Sequence, residues 1–178
     1  QSNKFGWKGQ DLKGVQGLYS LQDLEELEQN SKGVKRAVIV GGGLIGIEMA
    51  EMLLSRGIDV TFLVREDGFF RNVFPPEESE IINRHIREHH VDLRLETELD
   101  EIIGDENGRA KAVKTKGGEV IECGIVGLTV GVHPNIDLVK NTSIETEKGI
   151  LVNEFLTTNH ADIYAIGDCA QLQNPPSG

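Results

Sequence analysis

The segment Gly41-Gly42-Gly43-Leu44-Ile45-Gly46 follows the apolar run Val38-Ile39-Val40 and opens a helical pattern that continues to Arg56. Gly41, Gly43 and Gly46 hold the spacing Gly-x-Gly-x-x-Gly, and each position has its own reason to lack a Cβ. The first permits a tight turn out of a strand, the second lets a pyrophosphate approach the backbone, and the third lets the helix pack closely on the strand. Main-chain N–H groups of Gly42, Leu44 and Ile45 then face outward at the start of the helix, where the macrodipole favours negative charge. This spacing points to a loop that holds a dinucleotide by its diphosphate.

Spacing alone is weak in a chain with 21 glycines, so the flanking pattern decides. Lys35 to Val40 reads as a buried strand. Leu44, Ile45, Ile47, Met49, Ala50, Leu53 and Leu54 give a helix with a broad apolar face, and Arg56-Gly57 supplies a basic last turn with a glycine beyond it. Ile58 to Val64 forms a second buried strand, completing a strand–helix–strand unit of the kind that builds parallel sheets.

With 178 residues, 38% of them hydrophobic, the chain can bury one good core or one core plus a small appendage. Its formal charge of −11 argues against a nucleic-acid partner, because such grooves need clustered positive charge. No stretch approaches a membrane span and the start resembles no signal peptide, so no membrane partner is expected and the default location is cytoplasmic. Cys123 and Cys169 are widely separated and read as packed small residues rather than redox centres.

Residues 1–33 read as a polar, glycine-rich lead-in outside the core, with one short helix signalled by Ser20 as N-cap and Asp23 three residues on. Pro75-Pro76-Glu77-Glu78 starts another helix running to about His90, and Val91 to Leu95 follows as a third strand. Thr97 to Ile103, Arg109 to Thr115 and Val120 to Glu122 alternate apolar and polar residues around two turns. They predict an antiparallel β-meander inserted in an otherwise parallel fold. Ile125 to Val130 returns to a buried central strand, and Gly149 to Val152 and Ile163 to Ile166 predict two more strands. The fold class is therefore α/β, a Rossmann-type parallel sheet with helices and an inserted antiparallel β-meander. The divisions are a lead-in at 1–33, a nucleotide domain at 34–148, and a tail at 149–178.

Three segments in order carry a family resemblance: Val38 to Glu51, Val130-Gly131-Val132-His133-Pro134-Asn135, and Thr157 to Ala170 with its Ile166-Gly167-Asp168. They resemble the nucleotide domain of the flavin-dependent pyridine nucleotide-disulfide oxidoreductase superfamily, above all the branch of nitrite reductase flavin subunits, coenzyme A disulfide reductases, NADH oxidases and rubredoxin reductases. The resemblance implies FAD and NAD(P)H as cofactors, with Gly131 near the nucleotide and Gly167 and Asp168 belonging to the flavin site. It implies that 1–33 leaves a flavin domain and 149–178 returns to it. It further implies an upstream FAD-binding fingerprint, a dimerisation domain downstream, and a homodimer for the full-length protein. By itself the segment would then be inactive, with no catalytic residue of its own.

The same resemblance places Glu48 where the family's glutamate reaches the nicotinamide carboxamide, although an acid early in a helix is also stabilised by the dipole. At the end of the second strand Val64 stands where an acid selects NAD. Arg65 follows it, and Arg71 matches a second phosphate-binding arginine, which favours NADPH. Glu66 opposes that preference, since a one-residue shift of the loop restores a carboxylate for NAD. Two other readings stand beside the oxidoreductase. One is a nucleotide-binding or regulatory module without turnover. The other is a zinc hydrolase, because His85-Ile86-Arg87-Glu88-His89 matches His-x-x-Glu-His, although catalytic zinc needs a third protein ligand and no metal site is expected here.

Overall fold

A computed structural model of the chain describes residues 2–174. It divides into two compact units, Ser2–Gly131 and a second that begins at Val132. The first contains β1 (Val15–Gln16), α1 (Leu21–Asn30), β2 (Arg36–Val40), α2 (Leu44–Leu54), β3 (Asp59–Leu63), α3 (Pro76–Glu88), β4 (Asp92–Arg94), β5 (Leu99–Gly104), β6 (Ala110–Thr115), β7 (Val120–Glu122) and β8 (Ile125–Leu128). The second contains β9 (Ile150–Val152) and β10 (Ala170–Leu172), preceded by a single 3-10 turn at Gly167–Cys169.

Five strands of the first unit form a parallel sheet in the order β1-β8-β2-β3-β4, and β5-β6-β7 form a separate antiparallel sheet. The strand–helix–strand reading around the glycines is thus realised as β2-α2-β3, paired from Arg36 opposite Asp59 to Val40 opposite Leu63. Period-two alternation sorts the side chains of β2. Ala37 and Ile39 join Met49, Leu53, Phe62 and Phe69 in one apolar cluster, whereas Val38 and Val40 join Leu63, Leu99, Val113 and Val126 in the other. A strand covered on both faces needs a continuous apolar run rather than an alternating one, and Ala37 to Val40 supplies it.

The β5–β6 turn follows from Asp105. Its Oδ1 accepts from the N–H groups of Asn107 and Arg109, each at 2.9 Å. Gly108 takes the positive φ of 71° that this turn requires.

Two expectations change. Residues 2–33 do not all lie outside the core: β1 pairs with β8 at the sheet edge, and α1 buries Leu27 completely. The helix is amphipathic and held by a Ser20–Asp23 capping box, so its inner face packs on the sheet. Second, Ile163 to Ile166 is not a strand and makes only an isolated bridge between Tyr164 and Thr157. β10, a few residues later, is what pairs with β9. The break between compact units falls after Gly131. The expected segments 1–33 and 149–178 both extend beyond the described residues.

Candidate functional site

At the C-terminal end of β2 the chain turns sharply at Gly41, whose φ is 119° and whose N–H donates to the Leu63 carbonyl at 3.0 Å. A Cβ here would stand 2.5 Å from the Thr129 carbonyl oxygen, so Gly41 is required both by conformation and by the backbone of the neighbouring segment. Thr129 is itself fixed by its hydroxyl, which donates to the Val40 carbonyl at 3.0 Å. Gly46 lies where α2 crosses the sheet. A Cβ on it would meet Thr129 Oγ1 at 3.0 Å, the Gly41 carbonyl at 3.1 Å and the Phe62 ring at 3.2 Å. Gly42 presses on Val64, with 2.9 Å from its ideal Cβ to a valine methyl.

Gly43 differs from the other three. It is the N-cap of α2, carries no side-chain cap, and has nothing within 4 Å of where a Cβ would stand. The first turn of α2 therefore offers its main-chain donors, including those of Leu44 and Ile45, without an internal acceptor side chain to satisfy them.

This loop forms the floor of a cavity of about 480 Å³ whose lining also includes Phe5, Trp7, Arg65, Glu66, Glu98 and Lys116. Phe5 and Trp7 meet edge to face at 5.3 Å. Charged residues occupy the rim. Arg65 donates to Glu66 Oε1 through Nη2 at 2.8 Å and through Nε at 3.2 Å, and Lys116 Nζ lies 2.6 Å from Glu98 Oε2. The hydrogen bond to Glu66, then the charge of Glu66 and more weakly that of Glu98, hold the Arg65 guanidinium above its usual pKa.

Of the residues expected at a site, Gly41, Gly42, Gly43, Arg65 and Gly131 line this one cavity. Gly131 has a φ of 92° at the end of the segment following β8. Leu44, Ile45, Gly46 and Glu48 lie on α2, and Glu48 is exposed. Arg71 is not among the lining residues, since its Nε donates to Asp67 Oδ1 at 2.9 Å and its Nη1 to the Phe74 carbonyl at 3.4 Å. Gly167 and Asp168 belong to the second unit. Gly167 has a φ of 74° with nothing within 4 Å of its ideal Cβ, and Asp168 is exposed.

His85 and His89 do share a face of α3, with ring centroids 4.3 Å apart. Among the described residues, however, no group of three His, Cys, Asp or Glu side chains is placed to hold a metal, so the zinc-hydrolase reading finds no ligand set. Nor, among the described residues, is any helix long and apolar enough to cross a membrane.

Sequence reasoning missed Phe5, Trp7, Asn72, Glu98 and Lys116, all of which line the cavity. Trp7 was the one detectable signal, being the chain's single tryptophan in a segment otherwise poor in apolar residues.

A parallel sheet with a glycine turn leading into a helix at the C-terminal edge of a central strand is the Rossmann-type unit of the FAD/NAD oxidoreductase fold. The chain belongs to the pyridine nucleotide-disulphide oxidoreductase family, whose model matches residues 1–177. It is 31% identical over 163 residues to a nitrite reductase [NAD(P)H] of Bacillus subtilis (strain 168), covering 92% of this chain and 20% of that protein. A ferredoxin reductase from Rhodopseudomonas palustris superposes with a TM-score of 0.87 at 27% identity, covering 98% of this chain and 43% of that one. An engineered water-forming NADPH oxidase bound to NADPH superposes with a TM-score of 0.83 at 25% identity, covering 96% and 37%. Its five replacements are glycine to alanine, then aspartate to alanine, alanine to arginine, methionine to serine and proline to arginine, 18, 19, 20 and 25 residues beyond the first. The chain spans about a fifth of the length of the nitrite reductase and under half that of the two structures.

Proposed function

We propose that the unit 2–131 binds NAD(P)H with its diphosphate against Gly41–Gly43 and the first turn of α2, and that in the whole protein it presents the nicotinamide for hydride transfer to FAD. The observation that carries this reading is Gly43: an uncapped helix N-terminus with open space where a side chain would stand, inside a cavity of about 480 Å³. A diphosphate needs both room and main-chain donors, and in a chain of formal charge −11 it needs this local attraction against the overall field.

Within this reading Gly131 borders the nucleotide and Glu48, exposed on α2, meets the nicotinamide carboxamide. Gly167 and Asp168 fit a flavin, because the open backbone at Gly167 admits a ligand and the Asp168 carboxylate accepts hydrogen bonds from polyol hydroxyls. FAD supplies the hydride acceptor, while this chain's residues bind and orient the reduced coenzyme. Residues 149–178 then return to a flavin domain and 1–33 lead out of it, β1 and α1 already packing on the nucleotide sheet, and the oxidoreductase acts as a homodimer completed by the remaining domains.

NADPH is favoured slightly over NADH. Counted from Gly46, the spacings of the engineered NADPH oxidase fall on Val64, Arg65, Glu66 and Arg71. Val64 lacks a carboxylate and Arg65 and Arg71 are guanidiniums, as in that enzyme, whereas Gly46 and Glu66 do not follow it. Arg65 and Arg71 suit a phosphate dianion because each offers a planar fork of donors, Arg71 on exchanging the Asp67 carboxylate for the phosphate. The test is flavin reduction by NADPH and by NADH in the Arg65→Ala, Arg71→Ala double variant of the intact protein. Loss of charge-assisted hydrogen bonds should weaken NADPH by roughly tenfold or more and leave NADH little changed. Unchanged NADPH affinity would contradict the preference.

A further inference from the structure

The rim of the cavity holds a cation that the strand-end loop does not supply. Main-chain hydrogen bonds form a continuous row from that loop to the β6–β7 hairpin. Thr97 N–H donates to the Val64 carbonyl at 2.9 Å, Glu96 N–H to the Glu66 carbonyl at 3.0 Å, and Lys116 N–H to the Glu98 carbonyl at 2.9 Å. This row sets two ion pairs on one cavity, Arg65 with Glu66 and Lys116 with Glu98. Glu98 pairs with Lys116 and also supports the charge of Arg65, so the two pairs belong to one electrostatic cluster.

We propose that Lys116 is a further specificity-determining residue, a cation from outside the strand-end loop that joins Arg65 and Arg71 on the 2′-phosphate of NADPH when that phosphate displaces Glu98 and Glu66 as the partner. This rests on the NAD(P)H reading above and adds a residue about 50 positions from the strand-end loop. Exposed ion pairs of this kind are weak, so a phosphate dianion outcompetes a single carboxylate for the same donors. NADH brings no such dianion. Its ribose hydroxyls instead donate to Glu66, while both ion pairs stay closed. The cluster therefore serves either coenzyme, with Glu66 and Glu98 restraining the cations until a phosphate arrives. The Lys116 side chain is exposed on the β6–β7 turn, so its replacement is expected to leave the fold intact.

The experiment is calorimetric titration of the intact protein with NADPH and with NADH, for the wild type and for Lys116→Met, Lys116→Arg and Arg65→Ala. Lys116→Met is expected to weaken NADPH about tenfold with NADH within about twofold, and Lys116→Arg to restore NADPH binding. If Lys116→Met leaves NADPH binding unchanged while Arg65→Ala weakens it, the role of Lys116 is overturned and the coenzyme reading stands. Equal weakening of both coenzymes by Lys116→Met assigns it a structural part and overturns the proposal too. A wild type that binds neither coenzyme ends the proposal together with the reading beneath it.

Discussion

Gly41 and Gly43 stand two residues apart, yet their alanine variants should fail in opposite ways. An alanine at Gly41 must hold a φ of 119° and bring a Cβ to 2.5 Å from a main-chain oxygen that cannot turn aside. The conformational strain costs about 1–3 kcal/mol and the forced displacement of packed backbone a similar amount. For a chain of this length each kcal/mol moves the melting temperature by roughly 2–4 °C, so a drop on the order of 10 °C is expected. At Gly43 the φ is −124° and the ideal Cβ meets nothing, so alanine there costs only the poorer N-cap, about 0.5–1 kcal/mol. Its methyl instead occupies the space assigned to the diphosphate, and losing one charge-assisted contact of about 1.5–3 kcal/mol weakens the coenzyme by roughly 10- to 150-fold. Thermal melts by circular dichroism and coenzyme titration by calorimetry measure the two effects separately. A Gly43→Ala protein that binds NADPH and NADH as tightly as wild type would refute the argument, as would a Gly41→Ala protein that melts at the wild-type temperature.

Three further predictions concern titration and reactivity. Burial pushes the Cys123 thiol up to about 12, against a weaker opposing influence from Arg36. In native protein at pH 8, iodoacetamide should therefore modify the partly exposed Cys169 well before Cys123, with mass spectrometry of the digested protein as the readout. Because the folded value lies above the unfolded one of about 8.5, that thiol favours the folded state below pH 8.5, and the contribution is lost as pH rises toward 12. A melting temperature in Cys123→Ala that falls as steeply as wild type over this range would contradict it. Asp105 has the opposite sign. The N–H of Arg109 first, and then that of Asn107, hold its carboxyl below the usual range, so its contribution is present above about pH 4 and lost as pH falls through the folded value. The gap in melting temperature between wild type and Asp105→Ala should accordingly narrow in acid, and a gap that widens below pH 4 would contradict this.

What could be read from sequence and what could not divides along the range of the interactions. β2, α2 and β3 were legible because their signals are local: an apolar run, glycines in fixed spacing, a helical apolar face and a closing glycine all lie between Arg36 and Leu63. The meander was legible for the same reason, its turns being written in Asp105 to Gly108 and Lys116 to Gly118. β1 was not, because a two-residue strand has no period to detect and exists only through pairing with β8. Ile163 to Ile166 failed in the reverse sense, since an apolar run becomes a strand only where a partner edge is present. The candidate site shows the same division. Gly41 to Gly43 and Arg65 announced themselves, whereas Phe5, Trp7, Glu98 and Lys116 reach the cavity from segments far apart in the chain. Arg71, which spacing alone put forward, engages Asp67 and does not line the cavity.

Amide chemical-shift mapping on isotope-labelled protein titrated with NADPH tests the central claim, that the glycine turn and the start of α2 cradle a diphosphate. The largest shifts are expected at the N–H groups of Gly42, Gly43, Leu44 and Ile45, saturating with the coenzyme. Saturable shifts confined to other surfaces, or none at millimolar coenzyme, would contradict it.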